Sequence, residues 1–160
     1  MSEAAQFSAE GGCTCRQVRY RLTRAPLIVH CCHCRWCQRE SGSAFAINAL
    51  IESSCLELTG GRPQSVPTPS NSGKGQTVAR CPACQVAVWS HYGGLGDIMS
   101  FVRVGTLDEA DRLAPDVLIY TDSKQPWVLI PAGVRSFSQY YRSREVWSAQ
   151  SLARREALLG

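Results

Sequence analysis

Seven of the nine cysteines fall into three short clusters, and cysteines grouped in this way are typical metal ligands. The clusters are two pairs, Cys13/Cys15 and Cys81/Cys84, and one triplet, Cys32/Cys34/Cys37. Four thiolates close a tetrahedral zinc site, whereas three leave one coordination position open. Seven thiols therefore predict two zinc ions, one in a closed site and one in an open site where catalysis could occur.

The two pairs lie far apart in the sequence, so a zinc ion held by both would join two separate strands. A structural thiolate site of this kind contributes about 10 kcal/mol or more of apparent binding free energy, most of it available to folding. Redox chemistry of the thioredoxin type is the alternative for these pairs, but no βαβ pattern accompanies them. We expect a structural zinc site at Cys13, Cys15, Cys81 and Cys84, and we expect loss of Cys81 to unfold the chain.

The central cluster allows more than one set of ligands. Successive side chains on an extended segment point to opposite faces, so Cys32 and Cys34 share one face while Cys31 and His33 share the other. This alternation favours Cys32, Cys34 and Cys37 as the ligands of the open site. Spacing alone also permits a set that contains Cys31 in place of Cys32.

Two other interpretations of the cysteines are open. The second site would be closed, and purely structural, if a further side chain completed it, and the candidates are His33, His30 and Cys55. A disulfide framework would need an oxidising compartment and normally a secretory signal, but residues 1–10 contain no apolar core of that kind. We therefore expect reduced thiols and a cytoplasmic location.

Composition is that of an ordinary globular domain. The 160 residues are 44% hydrophobic and 19% charged, which fits one domain with a real core. The longest apolar stretches are far shorter than the roughly 20 residues that cross a bilayer, so no membrane span is expected. The formal charge of +4 falls to about +1 with seven thiolates and two zinc ions. The arginines are scattered rather than clustered, so no nucleic-acid partner is expected.

The elements that must position the cysteines are mainly strands. Val18, Tyr20 and Leu22 alternate with arginines, which predicts a half-buried strand after the first cysteine pair. Short apolar segments bounded by Gly, Pro or Asp predict further strands within 44–51, 55–58, 78–91, 98–104, 117–120 and 127–130. One helical turn is predicted over residues 35–40. Residues 60–75, rich in Gly, Pro, Ser and Asn, predict a long surface loop.

The C-terminal segment has the one long helical pattern. Val146, Gln150, Ala153 and Ala157 lie at helical spacing within residues 143–159. Such a helix would pack against the sheets or against a partner subunit, and the second case would give a homo-oligomer. The predicted organisation is a flexible tail over 1–10, a zinc-binding domain over 11–142 and a helix over 143–160.

Most of the chain resembles the family of glutathione-dependent formaldehyde-activating enzymes and the related centromere protein V-like domains. The matching stretches are GGCTC at 11–15, CHCRWC at 32–37 followed by Ser41-Gly42, CPAC at 81–84, VGTLD at 104–108, IY at 119–120 and DSKQPW at 122–127. They occur in the order and spacing typical of the family.

The resemblance implies a β-tent fold of small antiparallel sheets within the mainly β class. It implies a structural zinc at Cys13, Cys15, Cys81 and Cys84 and a catalytic zinc at Cys32, Cys34 and Cys37, the division that the spacing also favours. The implied activity is the formation or cleavage of S-hydroxymethyl thiol adducts, a carbon–sulfur lyase reaction with glutathione as the thiol and formaldehyde as the aldehyde. The alternative function is that of a non-catalytic, zinc-stabilised binding module of the centromere protein V-like type.

The chain departs from the family pattern near both sites. Arg16 and Gln85 stand where a glycine usually follows the second cysteine of each structural pair. A left-handed backbone there would cost a larger residue roughly 1 kcal/mol, or else the turn would change. Leu118 stands where a histidine is expected before Ile119-Tyr120, so any contribution of that histidine to substrate binding would be lost.

Overall fold

The computed structural model describes residues 6–160, which form eleven strands and three helices. The strands are β1 Ala9–Gly12, β2 Arg19–Leu22, β3 Ile28–Cys32, β4 Ala46–Glu52, β5 Leu56–Gly60, β6 Gln64–Thr68, β7 Gln76–Arg80, β8 Ala87–Tyr92, β9 Met99–Arg103, β10 Val117–Ile119 and β11 Arg135–Ser136. The helices are α1 Arg35–Ser41, α2 Ser143–Val146 and α3 Ala149–Leu159. This confirms the mainly β class with short helical segments and a C-terminal helix. No helix among the described residues is long and apolar enough to span a membrane.

The strands form two sheets of unequal size. The smaller has the order β1-β2-β5, and the larger has eight strands in the order β11-β10-β3-β4-β9-β8-β7-β6. All pairs are antiparallel except that β10 runs parallel to both β3 and β11. The larger sheet therefore exceeds the small antiparallel sheets that we expected. The parallel pairing arises because the chain crosses from β9 to the far side of β3 through residues 104–116, a connection long enough for a parallel neighbour.

The small sheet covers one face of the larger sheet. In β2, Tyr20 and Leu22 are fully buried while the intervening arginines are partly exposed, as the alternating sequence predicts. The Tyr20 ring packs edge-on against Trp89 of β8, with 5.6 Å between ring centroids. These residues belong to the hydrophobic core that joins the two sheets.

The opposite face of the larger sheet carries a second apolar cluster. Strand β4 contributes to both, because Ala49 and Ile51 lie in the first core while Leu50 lies in the second. Tyr141 and Trp147 from the C-terminal segment are buried in this second cluster. Cys32 and Cys34 also belong to it, so the triplet lies on the face that the C-terminal segment covers.

The C-terminal helical pattern is divided into two helices, and the second is docked on the same chain. The Ser148 hydroxyl begins α3 by accepting a hydrogen bond from the Ser151 amide at 3.1 Å. The Ser151 hydroxyl donates to the Leu27 carbonyl at 2.7 Å. Arg154 donates two hydrogen bonds, of 2.8 and 2.6 Å, to the buried carboxylate of Glu52. These contacts attach α3 to β4 and to the residue that precedes β3.

Three predicted segments differ from the structure or fall partly outside it. Residues 60–75 are not all loop, because β6 pairs with β7 and only residues 69–75 connect them. β6 is an edge strand, where Pro67 is tolerated. The strand predicted over 127–130 is wrong: the segment has no strand partner, and Trp127 and Leu129 are 72% and 84% exposed. The predicted tail lies outside the described residues over 1–5, and β1 begins within it at Ala9.

Candidate functional site

The two cysteine pairs meet in one cluster. The Sγ atoms of Cys13, Cys15, Cys81 and Cys84 all lie within 4.8 Å of one another, and the Sγ of Cys15 is 3.6 Å from those of both Cys13 and Cys81. Four zinc–sulfur bonds of about 2.3 Å in a tetrahedron place sulfur atoms about 3.8 Å apart. All nine cysteines lie in the described part of the chain, and none is in a disulfide. The cluster could hold a metal ion.

Two turns of the same form position these pairs. The amide of the first cysteine in each pair donates to the carbonyl five residues later, at 3.1 Å for Cys13 and 3.0 Å for Cys81. The residue after the second cysteine is left-handed in both turns, with φ of 67° at Arg16 and 64° at Gln85. The turns therefore keep the backbone for which a glycine was expected, at roughly 1 kcal/mol of strain for each larger residue.

The triplet forms the second cluster, with the Sγ atoms of Cys32, Cys34 and Cys37 within 4.8 Å of one another. Cys32 is the last residue of β3. Cys34 caps the N-terminus of α1, because its sulfur accepts a hydrogen bond from the Cys37 amide at 3.3 Å. Hydrogen bonds from the Cys32 and Cys37 thiols lower the pKa of Cys34 to about 3, and the contacts with Cys34 and Cys37 raise the pKa of Cys32. Because a first thiolate opposes ionisation of its neighbours, three thiolates together require a cation.

The other cysteine and histidine candidates lie outside this cluster. Cys31 and His33 are buried on the opposite face of β3, where His33 Nε2 is 3.5 Å from Cys31 Sγ. Cys55 packs against the core between the sheets. His30 Nε2 contacts the Tyr141 hydroxyl instead of the triplet. Among the described residues, the triplet thus brings three ligand atoms together.

A cavity of about 460 Å³ opens onto the triplet, and all three cysteines line it. Much of its wall is apolar or aromatic, including Trp36 and Phe101. Among the described residues that line the cavity, Lys74, from the loop over residues 69–75, is the one lysine, arginine, aspartate or glutamate. The cavity gives a small molecule access to the three sulfur atoms.

The segment over 122–127 supports α1 and does not line the cavity. The buried Gln38 of α1 donates from Nε2 to the His33 carbonyl at 2.7 Å and to the Ser123 carbonyl at 3.0 Å. The Gln125 side chain donates back to Gln38 Oε1 at 2.7 Å. This segment therefore holds the turn that carries Cys34 and Cys37.

Leu118 lies on the face of β10 that points away from the cavity. It is in register with Cys31, whereas the next residue, Ile119, is in register with Cys32 and lines the cavity. A histidine at position 118 would therefore lie beside Cys31 and His33, away from the three sulfur atoms of the triplet.

The polar floor of the cavity was not predicted from the sequence, although His30 was considered as a ligand of the second site. His30, Asn48 and Gln76 line it, and each is at most 9% exposed. Burial lowers the pKa of His30 to about 4. The one available signal was Asn48, a lone amide in the otherwise apolar run over residues 44–51, because asparagine is disfavoured in strands.

Comparison with known proteins agrees with the cysteine geometry. The sequence profile of the family described as glutathione-dependent formaldehyde-activating enzyme matches residues 8–123, a range that contains both cysteine clusters. A crystal structure of a Rhodobacter sphaeroides protein is similar, with 20% identity, a TM-score of 0.47, and coverage of 62% of this chain and 88% of that one. No curated protein matches the sequence. From the match to its profile, the chain belongs to the family of glutathione-dependent formaldehyde-activating enzymes.

Proposed function

We propose that the protein binds two zinc ions and makes or breaks the carbon–sulfur bond of a thiol adduct such as S-hydroxymethylglutathione. Cys13, Cys15, Cys81 and Cys84 would hold the structural ion, and Cys32, Cys34 and Cys37 the catalytic one. The observation that carries the proposal is that three clustered sulfur atoms line an accessible cavity, while four others form a cluster between the turns that follow β1 and β7.

The ligand set suits sulfur chemistry. A zinc ion bound by three thiolates offers one open position, at which a fourth thiol loses its proton near neutral pH. Three thiolates give such a site a net formal charge of −1, which favours exchange of soft sulfur ligands over activation of water. Fast hydrolysis of esters or amides would contradict this reasoning.

The cavity suits a small thiol compound and an aldehyde. Its volume of about 460 Å³ is that of a typical small-molecule site. The aromatic wall around Trp36 and Phe101 offers apolar surface to the carbon chain of a thiol compound, and Lys74 would attract its carboxylate. Glutathione and formaldehyde, which the family description names, are compatible with these features.

The test is zinc per chain by native mass spectrometry, with and without glutathione. Two zinc ions and a glutathione adduct are expected for the natural protein. Cys37→Ser should lose the second zinc and the adduct. Cys31→Ser is the matched control, because Cys31 is adjacent in sequence to the triplet but buried on the opposite face, and it should retain both.

One tightly held zinc ion and no adduct would refute the lyase function and leave a zinc-stabilised binding module. Loss of the adduct in Cys31→Ser with its retention in Cys37→Ser would instead show that the ligand set of the central site is wrong.

A further inference from the structure

Asn48 lies on the cavity face of β4, the strand that pairs with β3 and hence with the strand that ends at Cys32 of the triplet. Its cross-strand neighbours are His30 on β3 and Arg103 on β9. Cys32 is paired with Ala46, two residues before Asn48, so the Asn48 and Cys32 side chains are diagonal neighbours on the same face. Asn48 is 4% exposed and lines the cavity together with the three cysteines.

Arg103 fixes the orientation of the Asn48 amide. Its Nη1 donates to Asn48 Oδ1 at 2.6 Å and to the Ser90 hydroxyl at 3.2 Å. A guanidinium is only a donor, so the amide oxygen must face it and the amide nitrogen must point elsewhere. The positive charge also polarises the amide and makes its N–H groups stronger donors.

The Nδ2 atom of Asn48 is a hydrogen-bond donor without an acceptor among the described residues. None of the side-chain hydrogen bonds among residues 6–160, those to cysteine sulfur included, has this atom as its donor. It is not among the fully buried unpaired atoms of residues 6–160, which means that it reaches the cavity. An oriented N–H donor that opens into the cavity beside the triplet is available to hydrogen-bond to a bound ligand.

We propose that Asn48 donates a hydrogen bond to the oxygen atom of the bound thiol adduct, and that Arg103 is the residue that positions it. The inference rests on the proposed carbon–sulfur lyase function. In adduct formation, a sulfur lone pair bonds to the aldehyde carbon and the C=O π pair moves to oxygen, which then takes a proton from water. The proton of the thiol has by then been released to solvent.

Cleavage is the reverse reaction. The hydroxyl proton leaves to water, the C=O bond re-forms and the carbon–sulfur bond breaks with its electron pair on sulfur. In both directions the oxygen passes through an alkoxide, and negative charge has already built up on it at the transition state of the carbon–sulfur step. A fixed N–H donor beside this oxygen therefore stabilises the transition state more than it stabilises the neutral aldehyde or the neutral adduct.

The test compares the binding of two small sulfur compounds to zinc-loaded protein by calorimetry. Thioacetate carries an oxygen on the carbon next to sulfur, as an S-hydroxymethyl adduct does, whereas 2-propanethiol has a methyl group there. The ratio of their affinities is measured in the natural protein, Asn48→Ala and Asn48→Asp. Comparing ratios between proteins cancels the different acidities of the two compounds.

We expect the preference for thioacetate to fall by roughly tenfold to a hundredfold in Asn48→Ala, the effect of losing a hydrogen bond to a charged acceptor. Asn48→Asp keeps a hydrogen-bond acceptor for Arg103 but has no N–H donor, so its preference for thioacetate should fall at least as much. This variant replaces Asn48→Ala in the test if the alanine variant does not fold. Arg103→Met should reduce the preference less. Ser100→Ala is the control, because Ser100 is buried in β9 and bonded to Ser53 and His91 away from the cavity.

Unchanged ratios in both Asn48 variants would overturn the role of Asn48 while leaving ligand exchange at the triplet, and hence the proposed function, intact. Failure of both compounds to bind the natural protein would overturn the proposed function and this inference together. The two failures are therefore distinguishable.

Discussion

The sharpest prediction concerns Cys81, whose replacement should damage the fold far more than the replacement of Cys55, a half-buried cysteine. Cys81 is fully buried in the core between the sheets, where its sulfur lies beside that of Cys15. Cys55 packs against the same core but belongs to neither cysteine cluster. Cys81→Ser and Cys55→Ser thus make the same chemical change, and they differ in burial and in whether a proposed zinc ligand is lost.

The expected size of the difference follows from the site. A structural zinc contributes about 10–16 kcal/mol of apparent binding free energy, so one ligand in four accounts for about 2.5–4 kcal/mol. A buried serine hydroxyl without a partner adds about 1–3 kcal/mol of destabilisation. Cys81→Ser should therefore lower the free energy of unfolding by about 3.5–7 kcal/mol, a large part of the 5–15 kcal/mol typical of a domain. Cys55→Ser should lower it by about 1 kcal/mol.

The assay is urea unfolding followed by circular dichroism, in zinc-buffered solution and again with a chelator. In zinc, Cys81→Ser should be unfolded or should unfold at a much lower urea concentration than Cys55→Ser. With the chelator the difference between the two variants should shrink to the cost of the buried serine hydroxyl, because the metal contribution is absent from both. Equal unfolding midpoints in zinc would refute the assignment of Cys81 as a structural ligand.

Three further predictions concern the fold around the sites. Arg154→Met should lower the free energy of unfolding, measured by urea titration, by about 3 kcal/mol. The reason is that the Glu52 carboxylate, whose side chain is 8% exposed, would lose its main cation. The double variant Arg154→Met with Glu52→Gln should recover part of this loss. Gly11→Ala should lower Tm by several degrees, because a Cβ at this position would lie 2.6 Å from a tyrosine hydroxyl oxygen. Gly105→Ala is the control and should leave Tm unchanged, because a Cβ there would meet no atom within 4 Å. Burial lowers the pKa of His91 in the folded protein, so below about pH 6.5 the unfolded chain binds more protons than the folded chain does. The free energy of unfolding should therefore fall as the pH drops below about 6.5. The urea midpoint of His91→Gln should depend less on pH than that of the natural protein.

Local chemistry determined much of what could be predicted from the sequence. Cysteines two or three residues apart can reach one ion wherever the chain folds, so the division into a four-cysteine and a three-cysteine cluster followed from spacing. The alternation of side chains along β3 separated Cys32 and Cys34 from Cys31 and His33. The left-handed backbone at Arg16 and Gln85 was one of two outcomes left open, because the resemblance places a glycine at both positions and the turn could also have changed.

Tertiary structure decided what depends on partners distant in the chain. β6 pairs with β7 along the edge of the larger sheet, whereas residues 127–130 pair with no strand. Asn48 is part of the cavity floor because β3 and β9 place His30 and Arg103 on either side of it. Sequence spacing carries no information about which strands become neighbours, since that choice minimises the exposed apolar surface of the whole chain. The cysteines that could hold metal were therefore visible in the sequence, whereas the cavity in which they would act was not.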